Sequence, residues 1–300
     1  MKAIQWTVFI DMLGFSELNS TVDSDHKAKE LMDFMSSNMS LMLNYEEFVR
    51  PAYEKDNAFN LYEWYEVKSA FISDSIVMTF KPREVVAEKN KDKVLMHSAN
   101  ALMLIALRLS ALMHKCLSEK SIIFRGGIST GYCDIKDSFA VGEGLSFAHY
   151  TESKIAIYPR LVLSEDVVLN KKLLQKINWL YKEMYGEGRF IKREGAVVWV
   201  DVLHLLLASA DPKSPSVKWQ MSDYATRGKI ILARTVLEST LSMQKKLVRD
   251  SISEYYAKYR SCYGDLIKRK LYKNILGKYF WLRRHHNSEL QGRRYDEFEI

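Results

Sequence analysis

The chain has 300 residues, 47% of them hydrophobic and 27% charged, with a formal net charge of +7 and a pI near 9.0. That content is enough for one large or two small domains with a sizeable core, and it excludes wholesale disorder. The basic balance favours anionic partners (nucleotides, nucleic acid or a membrane surface) without choosing among them. The cysteines Cys116, Cys133 and Cys262 lie far apart with no C-x-x-C pair, which excludes a disulfide framework and a zinc ribbon.

The opening MKAIQWTVFIDMLGF does not read as a signal peptide, because its apolar run is short and an Asp interrupts it. Residues 4–10 predict a buried strand ending at Asp11, and Gly14 allows a tight turn after it. Residues 25–49 show helical spacing at Ala28, Leu31, Met32, Met35, Met39, Met42 and Leu43. Residues 61–68 and 71–80 read as two strands, with Asp74 near the hairpin that joins them. A long helix follows over 84–118. Its apolar stretch 94–113 is the membrane candidate of the sequence, but His97, Asn100 and Arg108 mark it as a buried core helix, so no membrane span is expected.

The segment IIFRGGISTGYCDI reads as a strand rich in glycine, 138–142 as another strand end, and 143–157 as a helix. A short strand and a helix occupy 160–185, and 189–203 closes with a hairpin. This order describes an α+β sandwich, with helices packed on a mostly antiparallel sheet. The texture changes after Leu207. DPKSPS is a loop, and 224–286 is helical and basic without a clean heptad. Residues 1–207 therefore form the main domain. Residues 208–300 form a basic helical extension that packs on it or joins a dimer, with no nucleic-acid partner expected.

Two carboxylates carry the chemistry. Asp11 ends an apolar strand with a glycine turn behind it, where a carboxylate can hold a cation and backbone N–H groups can cradle phosphate; a turn-capping Asp fits the same residues. Asp74 lies between Ser73 and Ser75 in an otherwise apolar run, where an unpaired carboxylate is costly. A metal shared by the two removes that cost, and so does a hairpin Asp bonded to backbone N–H groups.

Four segments occur in order from Lys2 to Ser153: V-F-I-D-M-L-G-F-S-E-L, F-I-S-D-S-I-V-M, R-G-G-I-S-T-G-Y and A-V-G-E-G-L-S-F-A-H-Y-T-E-S. Together they resemble the class III nucleotidyl (adenylate/guanylate) cyclases, which have F-x-D-I-x-G-F-[ST]-x-L, a second metal segment G-D-x, R-x-G-I-x-x-G and G-x-x-V-N-x-A-x-R-x-E-S. The resemblance implies a class III cyclase-like sandwich that binds two divalent ions, Mn2+ or Mg2+, through Asp11, the main chain of Met12, and Asp74. It implies that the turn Met12, Leu13, Gly14 and Phe15 holds the terminal phosphates, aided by Lys192 or the adjacent Arg193 of a late hairpin. The ribose 3′-hydroxyl then attacks the α-phosphorus and expels pyrophosphate, a transfer that needs positioning and charge neutralisation more than covalent chemistry.

Departures from the family pattern point to the base. The two purine-reading positions are Ala70, with Lys68 the nearest lysine, and Phe139; both are apolar, and a site without polar readers cannot select a purine in the usual way. The ribose-orienting Asn is Ser146 here. The Arg that stabilises the transition state is Tyr150, whose phenol donates a hydrogen bond but carries no charge. Arg125, Lys154 and Lys192 are the replacement cations in view.

This pattern resembles the pyrimidine (uridylate/cytidylate) cyclases of bacterial Pycsar anti-phage systems. That resemblance implies a cytoplasmic enzyme making cyclic UMP from UTP, or cyclic CMP from CTP, as a second messenger for an effector protein. It also implies a homodimer with shared active sites, since each chain carries both halves of the pattern once. A purine cyclase with unusual readers, an inactive nucleotide-binding or interaction module of the same fold, and a polymerase-like palm are the competing readings.

Overall fold

The computed structural model describes residues 2–43, 47, 60–84, 90–222 and 224–300, without the side chains of 43, 219–221 and 224–230. The strands, in chain order, are β1 (Trp6–Leu13), β2 (Tyr65–Ile72), β3 (Ser75–Pro82), β4 (Ile123–Ser129), β5 (Asp134–Lys136), β6 (Phe139–Val141), β7 (Leu161–Leu163), β8 (Ile191–Glu194) and β9 (Val197–Val200). Seven form one sheet in the order β2-β3-β1-β4-β7-β9-β8, while β5 and β6 make a separate ribbon. Neighbours in the large sheet are antiparallel except β4 and β7. The fold is α+β, a mostly antiparallel sheet covered by helices with a helical C-terminal region, as the sequence pattern implied.

Alternation along β1 assigns the two faces. Trp6, Val8, Ile10 and Met12 point into the main core. The central helix Lys91–Lys120 lies there, with Asn90 capping its N-terminus through its side chain. This helix is long and apolar enough to cross a bilayer, yet 72% of its most apolar window is buried inside the protein, which makes it the core helix the sequence suggested.

Thr7, Phe9, Asp11 and Leu13 take the opposite face by strand periodicity. Three covers divide that face. The β5–β6 ribbon packs over Ala70 and Val77. The helix Glu143–Tyr150, continued by one π-helical turn Thr151–Ile155, crosses β1 and β4. Beyond it the tail helices Tyr224–Ser261 and Leu266–Leu290 cover Leu13, Ile123, Val162 and Trp199.

The glycines of R-G-G-I-S-T-G set how low the crossing helix lies. A Cβ on Gly127 would sit 2.0 Å from the Ala148 carbonyl oxygen and 2.9 Å from the Glu152 nitrogen. Without a side chain at Gly127 the helix rests on β4, and Glu152 is delivered to the sheet surface.

Several elements depart from the sequence reading. The first strand runs past Asp11 to Leu13, because β4 offers partners that far, with Leu13 opposite Ile123. Leu61–Trp64 is one helical turn rather than strand. The Asn60 side chain accepts from the Tyr62 N–H, and Trp64 stacks on His97 of the central helix at 3.7 Å. The helix read over 25–49 is seen as Asp25–Leu43, with residues 44–46 and 48–49 outside the described residues. The helix read from 84 begins at Lys91, and 85–89 lie outside them too. The tail is two helices that turn at Gly264, whose φ is +93°.

Candidate active site

The β2–β3 hairpin places the second aspartate. Ile72 pairs with Ser75, so Ser73 and Asp74 form a two-residue turn, and Ser73 takes the positive φ of 59° that such a turn requires at its first position. Asp11 lies opposite Ser75 across the β1–β3 ladder, and the Met12 N–H donates to the Asp74 carbonyl at 3.2 Å. Asp11 and Asp74 are thus neighbours at one end of the sheet, both half-buried. Met12 keeps its side chain in the core, so only its main chain faces this region. Leu13 completes β1, Gly14 turns the chain with φ 94°, and Phe15 opens the helix Phe15–Ser20 with its ring buried.

Three further residues join this centre. Arg125 lies opposite Asp11 on β4, its Nε 3.0 Å from Asp11 Oδ2 and 2.7 Å from Glu152 Oε1. The contact with Glu152 is close but misaligned, leaving Glu152 Oε1 buried without a hydrogen bond. Burial pushes the Glu152 carboxyl up from its ordinary range; Arg125 opposes this, and the Asp11 and Asp74 charges add to it. The last participant is Lys278, half-buried on the tail helix Leu266–Leu290. Burial lowers its pKa, with Arg125 acting the same way and Asp11 and Glu152 opposing. Three carboxylates therefore share one region with two cations.

Glu152 was within reach of the sequence, since it is the Glu of the quoted Y-T-E-S stretch. Lys278 was not, because it lies in a tail with no motif.

The remaining sequence-derived residues lie elsewhere. Ala70 is fully buried with Val77, Cys133 and Ile135 beneath the β5–β6 ribbon. Lys68 is held by Asp134 at 3.0 Å, alongside Lys81 at 2.9 Å, and these lysines keep the Asp134 carboxyl well below its usual range. Phe139 is 75% exposed on β6, and Ser146 and Tyr150 are exposed one turn apart on the crossing helix. Lys154 is exposed.

Lys192 is on β8, at the far edge of the sheet from the aspartates, with Nζ 3.0 Å from Glu289 and 3.9 Å from Asp201. It belongs to a second cluster. Asp201, His204 and Glu289 offer ligand atoms within 4.8 Å of one another. Here each carboxylate already meets a lysine or a histidine, although Asp201 Oδ2 and His204 Nε2 are buried without a hydrogen bond. His204 Nδ1 meets Glu289 Oε2 at 2.6 Å, and Asp201 Oδ1 accepts from the His204 N–H at 3.0 Å and faces His285 Nε2 at 3.2 Å.

No family model and no curated protein matches the chain. Among solved structures, it resembles the adenylyl cyclase CyaB from P. aeruginosa at 15% identity and a TM-score of 0.35, covering 66% of this chain and 92% of that one. It also resembles the guanylyl cyclase Cya2 at 13% identity and a TM-score of 0.32, covering 67% of this chain and 93% of that one. At such TM-scores neither likeness carries weight, and the chemistry rests on this chain's own residues.

Proposed function

We propose that this protein is a metal-dependent nucleotidyl cyclase that closes a pyrimidine nucleoside triphosphate, UTP or CTP, to its 3′,5′-cyclic monophosphate and releases pyrophosphate. The observation that carries the reading is the convergence of Asp11 and Asp74 through the β1–β3 ladder and the Ser73–Asp74 turn. Carboxylate crowding at Glu152 and its buried oxygen without a hydrogen bond fit a centre that takes up further positive charge.

Asp11, Asp74 and the Met12 carbonyl would hold two divalent ions, Mn2+ or Mg2+, which when bound neutralise the triphosphate and acidify the ribose 3′-hydroxyl. The main chain from Met12 to Phe15 would follow the phosphates. Arg125, freed from Asp11 as that carboxylate turns to a ligand, and Lys278 would supply positive charge where the family Arg is replaced by Tyr150. Lys192 could take part only by leaving Glu289. Ala70 and Phe139 present no polar purine reader, which favours a smaller base.

Residues 1–207 would act as the catalytic domain and 208–300 as an extension packed on it. Ser146, Tyr150 and Phe139 are exposed, as are Val141 and Phe147 beside them. We infer that this surface meets the aspartate end of a second copy, making a homodimer with two shared sites in which Ser146 orients the ribose and the Tyr150 hydroxyl donates to substrate. The product would act as a second messenger on an effector protein in anti-phage defence.

The test incubates purified protein with each of the four NTPs and manganese and identifies products by mass. A cyclic pyrimidine monophosphate from one NTP is expected. A cyclic purine would keep the reaction and discard the base assignment. No product from any NTP would favour an inactive module of the same fold.

A further inference from the structure

The tail helices form a hairpin whose outer end leaves the domain. The hairpin is anchored where the Tyr255 hydroxyl donates to Glu17 Oε2 at 2.9 Å and the Tyr255 ring meets Tyr279 and Tyr272, each at 6.1 Å. Beyond that anchor the chain turns through Cys262, Tyr263 and Gly264, and Asp265 caps the returning helix by accepting from the Lys268 N–H. Cation–π contacts at this end stay within the hairpin, with Arg269 4.9 Å from the Tyr259 ring and 6.0 Å from the Tyr263 ring.

The composition of this tip is unusual for an exposed turn. Tyr263 is 94% exposed, Leu266 79% and Ile267 83%, with Tyr256 and Leu271 also exposed. Around them lie Lys258, Arg260, Lys268, Arg269, Lys270 and Lys273; Lys258 pairs with Glu254, and Asp265, the one acid between Tyr255 and Ile275, caps the helix and lies 3.5 Å from Lys268, so the other four cations have no acidic partner among these residues.

We propose that this tip is a docking element for an anionic lipid bilayer. A convex end with aliphatic side chains outermost and a collar of Lys and Arg has the chemistry of an interfacial anchor: the apolar residues enter the headgroup boundary and the cations meet anionic lipid. Nucleic acid would engage the cations but leave Leu266 and Ile267 in water. A folded protein would need a cavity shaped for a protruding tip, whereas a bilayer accepts one of any outline. The central helix, buried in the core, takes no part, so the protein would sit on the membrane without spanning it. This inference is independent of the catalytic reading.

The experiment sediments the full chain with vesicles of phosphatidylcholine alone and with vesicles containing phosphatidylglycerol. Binding is expected on the anionic vesicles and not on the neutral ones, falling as salt is raised. Leu266→Ser/Ile267→Ser and Leu266→Glu/Ile267→Glu should each lower the bound fraction, the second by at least about tenfold, with unchanged melting because both positions face solvent. Absence of binding to anionic vesicles, equal binding to neutral ones, or binding that both double variants retain would overturn the proposal. So would failure on vesicles together with capture of a labelled oligonucleotide that the same variants release, which would assign the tip to nucleic acid.

Discussion

Two carboxylate clusters share one face of the sheet, and they differ in how open they are to solvent. Asp11, Asp74 and Glu152 gather at the β1–β4 side, and Asp201 and Glu289 gather at the β8–β9 side. The helix Leu266–Leu290 connects the two regions, bringing Lys278 to the first and Glu289 to the second across about 16 Å of helix. In the first cluster, negative charge exceeds what Arg125 and Lys278 supply, and the two aspartates remain accessible. In the second, each carboxylate meets Lys192, a histidine or a capping N–H, and the cluster is closed over by the helix that completes it. Both sets contain groups able to bind a metal. What separates them is access: the aspartates of the first stay half-open to solvent, while the second is buried beneath the tail helix it pairs with and reads as a tether for the tail.

The largest way to break this contrast is at the aspartates. Asp11→Ala and Asp74→Ala should each lower turnover by at least about 10³-fold while the protein still folds, since the change removes a group that acts on the transition state. Chelation of the metal should do the same to the wild type. Full activity in Asp74→Ala would refute the site. The converse change at the tether is Glu289→Ala. It strands His204 and Lys192 in a mostly buried setting and should cost about 3 kcal/mol in urea denaturation. If stability is unchanged, the second cluster does not hold the tail.

A smaller effect comes from His286 on the same helix. Its ring is buried between Gln244 Oε1 at 3.1 Å and the Phe298 carbonyl at 3.0 Å, and burial lowers its pKa to about 4. A depressed histidine binds its proton more readily in the unfolded chain, so stability is full above the ordinary value of 6.5 and falls as pH drops toward 4. Between neutral pH and pH 5 the loss attributable to this group is about 2 kcal/mol. Urea melts at the two pH values measure it, and His286→Gln should shrink the difference. An equal difference in the variant would mean that another group titrates.

Much of the aspartate centre was legible because it is built from local signals. The β-branched run before Asp11 forms a strand, the run around Asp74 folds into a hairpin, and two adjacent strands suffice to bring the two residues to one end of the sheet. The glycines of R-G-G-I-S-T-G were also visible, but what they do was not: Gly127 and Gly131 leave room for the crossing helix to touch the sheet, a tertiary requirement. The Leu61–Trp64 turn misread as strand for a similar reason, since its aromatic residues suit a sheet and the Asn60 cap together with stacking on His97 holds them otherwise. Lys192 was correctly placed on a late hairpin. Its partner Glu289, however, lies 97 residues further along the chain, and no spacing rule reaches that far. Lys278 is the extreme case, brought to the site by a basic helix whose pattern resembles any solvated surface.

The finest test of the contrast is therefore at Lys278. If it only fills space beneath the tail, Lys278→Met should preserve turnover, because the methionine keeps the aliphatic stem and loses only the charge. If its ammonium adds to the charge that Arg125 brings, the same variant should lose about tenfold in kcat with KM little changed, the signature of an interaction made chiefly in the transition state. Lys278→Arg should then recover most of the loss. Urea melts on both variants keep the readings apart, since a packing defect would lower stability in parallel with activity. A tenfold kinetic loss at constant stability would make the tail a working part of the site, and a silent Lys278→Met would return the missing cation to Arg125 alone.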